Sequence, residues 1–134
     1  MATHAVTSQD FNQVVESNDL VFVDFWATWC GPCRAFGPTF EKASEANPDV
    51  YFAKVDIDQN PDLAAAAKVQ AVPTLMVVKK PQIIFQQAGA LRASDLDDLI
   101  SQAKALDMDA AASDGNTASS GDAKVKTPSS QSER

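Results

Sequence analysis

Seven residues, Leu20–Trp26 (LVFVDFW), restrict the folds open to this chain more than any other stretch. The run is apolar except for Asp24, and its length and β-branched or aromatic content fit a central strand buried on both faces. After three more residues comes Cys30-Gly31-Pro32-Cys33, which holds both cysteines of the chain. A helix is expected from Cys33 to about Ala46, kinked at Pro38, which lacks an N–H and crowds the preceding turn. The cysteine pair therefore falls where a buried strand ends and a helix begins.

The other elements follow from local pattern. Thr7 or Ser8 can cap a first helix that carries Phe11, Val14 and Val15 on one face. Val50–Val55 reads as a second buried strand, and Pro61 suits the first turn of a short helix through LAAAAKV. Thr74–Val78 and Ile83–Phe85 are close enough for an antiparallel hairpin. Its turn, Lys79-Lys80-Pro81-Gln82, has no Gly or Asn to supply the favoured positive φ. Ser94 is placed to cap a last helix with Leu96, Leu99, Ile100 and Ala103 on one stripe. A βαβ unit followed by a hairpin and a covering helix implies an α/β fold, with a central mixed sheet sandwiched between helices on both faces.

Composition sets the limits of the domain. Residues 1–106 are rich enough in aliphatic and aromatic side chains to bury a core. Residues 107–134 turn to Ser, Thr, Ala, Asp and Gly, which cannot offset the entropy of ordering, so a disordered acidic tail is expected there. The net charge is −7, which argues against general nucleic-acid or anionic-membrane binding. Neither a signal-peptide pattern nor an apolar run of bilayer length is visible, so a cytoplasmic location is expected; a monomer is expected as well.

Disulfide exchange requires a thiolate, and a free cysteine is mostly protonated at neutral pH. Unpaired N–H groups at a helix N-terminus lower the pKa of a sulfur placed there. Cys30, at the outer end, is the expected nucleophile, and Cys33, one turn in, is placed to resolve a mixed disulfide. Half of a zinc site would need two further Cys or His ligands, and His4 is the sole histidine. Haem attachment needs His after the second cysteine, where Arg34 stands. A structural disulfide over so small a loop gives little cross-linking benefit. Asp24 is costly within an apolar strand and should have a raised pKa, unless it points to solvent at a sheet edge.

Over about residues 5–106 the chain resembles the thioredoxin family. VDFWATWCGPC matches the active-site segment, VDIDQNP the stretch after the central strand, and AVPT and AGAL two further segments in the right order. The resemblance implies that Asp24 is the buried carboxylate that helps Cys33 lose its proton, with Lys54 as its charge partner. By sequence alone Lys54 could equally be a surface lysine. Pro73 matches a cis-proline beside the active site that holds the backbone of Val72 open to a substrate strand. With Gly31 and Pro32, the residues Trp29, Val72, Pro73 and Gly89 would form a shallow substrate-binding surface around Cys30. Trp26 is expected to pack beside the site.

The implied function is protein-disulfide reduction by a Cys30/Cys33 cycle that serves cell redox homeostasis. No bound cofactor is implied, since electrons would come from NADPH through a flavoprotein thioredoxin reductase. Disulfide-containing client proteins would be the other partners. Gly31-Pro32 is the pair associated with reducing members, which counts against an oxidase or isomerase. A binding or chaperone subunit on the same fold is the alternative from a different class. Pro81, Phe36 and Gly37 depart from the commonest family pattern and are expected to stay clear of the reaction centre.

Overall fold

The computed structural model of the chain describes residues 2–106. The expected acidic tail, residues 107–134, lies outside the described residues. In chain order the elements are β1 (Thr3–Ala5), α1 (Phe11–Ser17), β2 (Leu20–Trp26), α2 (Gly31–Ala46), β3 (Tyr51–Asp56), α3 (Pro61–Ala66), β4 (Thr74–Lys79), β5 (Gln82–Ala88) and α4 (Ala93–Ala105). The five strands form one sheet in the order β1-β3-β2-β4-β5. β1, β3 and β2 run parallel, whereas β4 is antiparallel to β2 and β5 to β4. This is the mixed sheet that the strand order implied.

Alternation along β2 sorts the core into two layers. Leu20 and Phe22 face one side and pack with Phe36 and Phe40 of α2 and Leu96 and Ile100 of α4. Val21, Val23 and Phe25 face the other side, against Phe11, Val14 and Val15 of α1 and Leu63 of α3. The α4 stripe is buried as its spacing predicts, with Leu99 only partly covered. Burying both faces of β2 removes its apolar run from water, which is the main favourable term in forming this strand.

Several local expectations are corrected. β1 was not anticipated: its three residues have no apolar pattern, and only pairing with β3, Thr3 opposite Phe52 and Ala5 opposite Lys54, makes it a strand. Neither Thr7 nor Ser8 caps α1. Asp10 stands at the N-cap with no side-chain cap bond, the Thr7 hydroxyl donates to Asp10, and Ser8 bonds Asn60 and Asp62 instead. Ser94 lies inside the first turn of α4, where Leu96 N–H donates to the Arg92 carbonyl. The short third helix stops at Ala66, and Lys68 follows at φ 59°. The β4–β5 turn has a cis Lys80–Pro81 bond in place of the missing Gly or Asn.

The candidate redox site

Helix α2 starts within the cysteine pair. Cys30 is its N-cap, with extended backbone, and Gly31 and Pro32 form the first turn; Pro costs nothing there because its missing N–H would have had no helical partner. The Cys33 N–H donates to Cys30 Sγ at 3.1 Å. A sulfur in that position meets the positive end of the helix, so negative charge on it is favoured. The two cysteines are joined as a disulfide, with Cα atoms 5.3 Å apart. In this oxidised form exposure does not separate them, since Cys30 is 4% and Cys33 6% accessible.

Ala27, Cys30 and Cys33 form a small cluster against which Trp26, Ile57 and Val72 pack. Trp26 therefore sits beside the site as expected. Pro73 follows a cis Val72–Pro73 bond, as the resemblance implied, and its carbonyl accepts from Gly89 N–H at 2.8 Å. Gly89 has φ +108°, a region that side chains disfavour, so glycine is required by the backbone at this point. Trp29 is 65% exposed, and its indole N–H donates to Asp58 at 2.9 Å. Asp58 was not foreseen as its partner; its place in the VDIDQNP stretch, just beyond the strand beside β2, is the sequence signal that pointed there.

Asp24 is fully buried on the face of β2 that also carries Phe22, under α2. Across the ladder it meets Lys54 on β3 and Leu75 on β4. Neither carboxylate oxygen accepts a hydrogen bond from the described residues. Burial pushes its carboxyl up to about 7, and the Lys54 ammonium pulls the other way. The solvent-facing alternative for Asp24 is thereby excluded. Lys54 is half-buried and holds its Nζ 5.0 Å from the centre of the Trp26 ring, a cation–π contact that spacing alone could not reveal.

A cleft of about 540 Å³ opens beside Cys33, with Trp26, Arg34, Gly37, Glu41 and Lys54 among its walls. Gly37 was expected to stay clear of the reaction centre. It lines this cleft instead, because the turn from Cys33 to Gly37 brings both residues to one helix face. Phe36 does stay clear of the cleft and fills the core. Among the described residues no helix is long and apolar enough to cross a membrane, and no group of three or more His, Cys, Asp or Glu could hold a metal ion.

A vicinal cysteine pair at a strand–helix junction, above a buried carboxylate and beside a cis-proline, defines a dithiol–disulfide exchange protein. The thioredoxin family model matches residues 2–102. The chain is 50% identical over 108 residues to a Streptomyces coelicolor protein provisionally named thioredoxin 2, covering 81% of each. Among solved structures it is similar to a mutant thioredoxin from Halobacterium salinarum, at TM-score 0.73 and 34% identity over 78% of this chain and 93% of that one. It is also similar to a chain from a structure concerning thiol resolution in yeast mitochondrial 1-Cys peroxiredoxin via glutathione/thioredoxin systems. That match has TM-score 0.70 and 35% identity over 75% of this chain and 95% of that one. The chain belongs to the thioredoxin family. It is a protein-disulfide oxidoreductase of the reducing type, whose clients are proteins that carry disulfides.

Proposed function

We propose that Cys30 is the nucleophile of this reductase and Cys33 the resolving thiol, with Asp24 taking the proton that Cys33 must lose. In the reduced protein the Cys30 thiolate attacks one sulfur of a client disulfide. A bond forms between Cys30 and that sulfur, and the second client sulfur leaves as a thiolate and takes up a proton. Asp24 then accepts the Cys33 proton, and the Cys33 thiolate attacks Cys30 Sγ. The first client sulfur departs with its electron pair, leaving the Cys30–Cys33 disulfide. Two electrons have passed from the dithiol to the client.

The observation that carries this assignment is the Cys33 N–H aimed at Cys30 Sγ, which favours charge on Cys30 and not on its neighbour. A carboxyl titrating near 7 beneath the pair supports the role given to Asp24, since an acid–base group works best near the operating pH. Lys54 helps keep Asp24 ionised. Trp29, Gly31, Pro32, Val72, Pro73 and Gly89 make up the surface that a client strand meets.

On this reading the spent disulfide is reduced by a flavoprotein thioredoxin reductase with electrons from NADPH, and the chain binds no cofactor of its own. It works as a monomer in the cytoplasm, and its net charge of −7 supports partners other than nucleic acid or anionic membranes. Oxidised peroxiredoxins are one candidate class of client, given the yeast neighbour. The test is NADPH-dependent reduction of a model protein disulfide with a thioredoxin reductase. Turnover should vanish in Cys30→Ser, and Cys33→Ser should accumulate mixed disulfides with clients. A Cys33→Ser protein that traps nothing would remove the two-thiol cycle.

A further inference from the structure

Helix α2 presents Cys33, Gly37 and Glu41 to one cleft, which Trp26 and Lys54 wall from the sheet. Gly37 has no side chain, and a Cβ there would lie 3.9 Å from Lys54 Nζ. Glu41 is one turn further along. Helical side chains lean toward the helix N-terminus, so a free Glu41 carboxylate would reach back over the Gly37 turn, where Lys54 Nζ sits. Both of its oxygens are instead held by the N-terminal segment. Oε2 accepts from Ala2 N–H at 2.9 Å, and Oε1 accepts from the Thr3 hydroxyl at 2.6 Å. The Thr3 hydroxyl is the largest influence holding the Glu41 carboxyl below its usual range.

We propose that Glu41 is a positioning residue for the resolving step: its clamp to β1 keeps it off Lys54 and so leaves that cation to Asp24. The proposal rests on the reading of Asp24 as proton acceptor. The charged groups that line the cleft or share the Lys54 face of the neighbouring strands are Asp24 from β2, Arg34 and Glu41 from α2, Asp56 two residues along β3, and Lys79 of β4, which donates to the Ala103 and Lys104 carbonyls of α4. Arg34 donates to the Thr28 carbonyl, and Asp56 accepts from the Asp58 and Gln59 N–H groups. His4 of β1 is on the opposite face, stacked on Tyr51. Glu41 is thus the carboxylate whose release would most change the field at Lys54. Once paired with Glu41, Lys54 would favour the ionised form of Asp24 less, and fewer Asp24 carboxylates would be ready for the Cys33 proton at neutral pH.

The test uses the full chain. Thr3→Val keeps the β-branched shape and removes the hydroxyl. The Asp24 titration midpoint, read from its carboxyl 13C shift in the reduced protein, should move to higher pH by about half a pH unit. The resolving step, timed by thiol release from a mixed disulfide on Cys30, should slow about two-fold at pH 7. Adding Glu41→Gln removes the competing charge and should return both readouts to wild type, and Thr3→Ser, which keeps the hydroxyl, should match wild type from the start. An Asp24 midpoint unmoved by Thr3→Val overturns the proposal. So does a double variant displaced as far as the single one, which would mean that β1 itself had shifted. Failure of the underlying reading looks different: Asp24→Asn would resolve mixed disulfides as fast as wild type, while Thr3→Val still moved the Asp24 midpoint.

Discussion

Asp24 and Lys54 stand opposite each other in the β2–β3 register, yet no direct ion pair joins them. The lysine lies over the Trp26 ring, and the carboxylate is left in an apolar layer beneath α2. Burial therefore dominates the Asp24 carboxyl, and the Lys54 cation only moderates it. A direct pair would have pulled the carboxyl down and made it a poor proton acceptor near neutral pH.

The first consequence is for stability. The folded-state pKa of Asp24, about 7, is above its ordinary 3.8, so the native protein keeps a proton that the unfolded chain releases. Stability from this group is fully present below about pH 4, falls as pH rises, and is lost above about pH 7. Asp24→Asn removes that dependence. It should be close to wild type in stability at pH 4 and more stable at pH 8.5, by as much as about 4 kcal/mol. Urea unfolding of the oxidised proteins at the two pH values checks this, and an equal difference at both would contradict it.

Lys54→Met keeps an unbranched apolar side chain of similar length and deletes the charge that lies over the Trp26 ring. The Asp24 carboxyl should then titrate above the wild-type value, since only the opposing influence of Lys54 has been removed. Resolution of a mixed disulfide on Cys30 should slow by about three-fold or more at pH 7 and recover at higher pH. The first attack by Cys30 should change far less. Stopped-flow measurement of the two steps across pH 6–9 separates these effects.

At Gly89 a new Cβ would meet nothing within reach, so Gly89→Ala isolates the backbone cost of φ +108°. Stability should fall by about 1–3 kcal/mol. The Gly89 N–H that holds the Pro73 carbonyl would shift as well. KM for a protein disulfide should therefore rise, while a small aromatic disulfide should be reduced at close to the wild-type rate.

Trp29 is mostly exposed, so its removal should cost little in folding. Trp29→Ala should unfold within about 1 kcal/mol of wild type and lose about ten-fold in kcat/KM for protein disulfides. Trp29→Phe keeps a smaller apolar ring and loses the Asp58 hydrogen bond. It should recover most of that activity; a variant as impaired as alanine would make the Asp58 bond, and not the ring, the important part.

Sequence alone determined the features set by local chemistry. The β2 run had to be buried on both faces, the helix after it had to begin at the cysteines, and the α4 stripe had to face the sheet. In each case the residues that decide the matter lie within a turn or two of one another. The cis Val72–Pro73 bond and the packing of Trp26 beside the cysteines were also expected from contiguous motifs. Tertiary structure decided everything that depends on a partner far along the chain. β1 exists because Thr3–Ala5 finds the edge of β3. Ser8, a good cap by type, bonds Asn60 and Asp62, which α3 brings beside it. Lys54 turned out to face Trp26, Trp29 found Asp58, and Glu41 found Thr3. Hydrogen bonds and ion contacts act over a few ångströms, so strand order and register, which no local pattern encodes, select which polar groups come within reach.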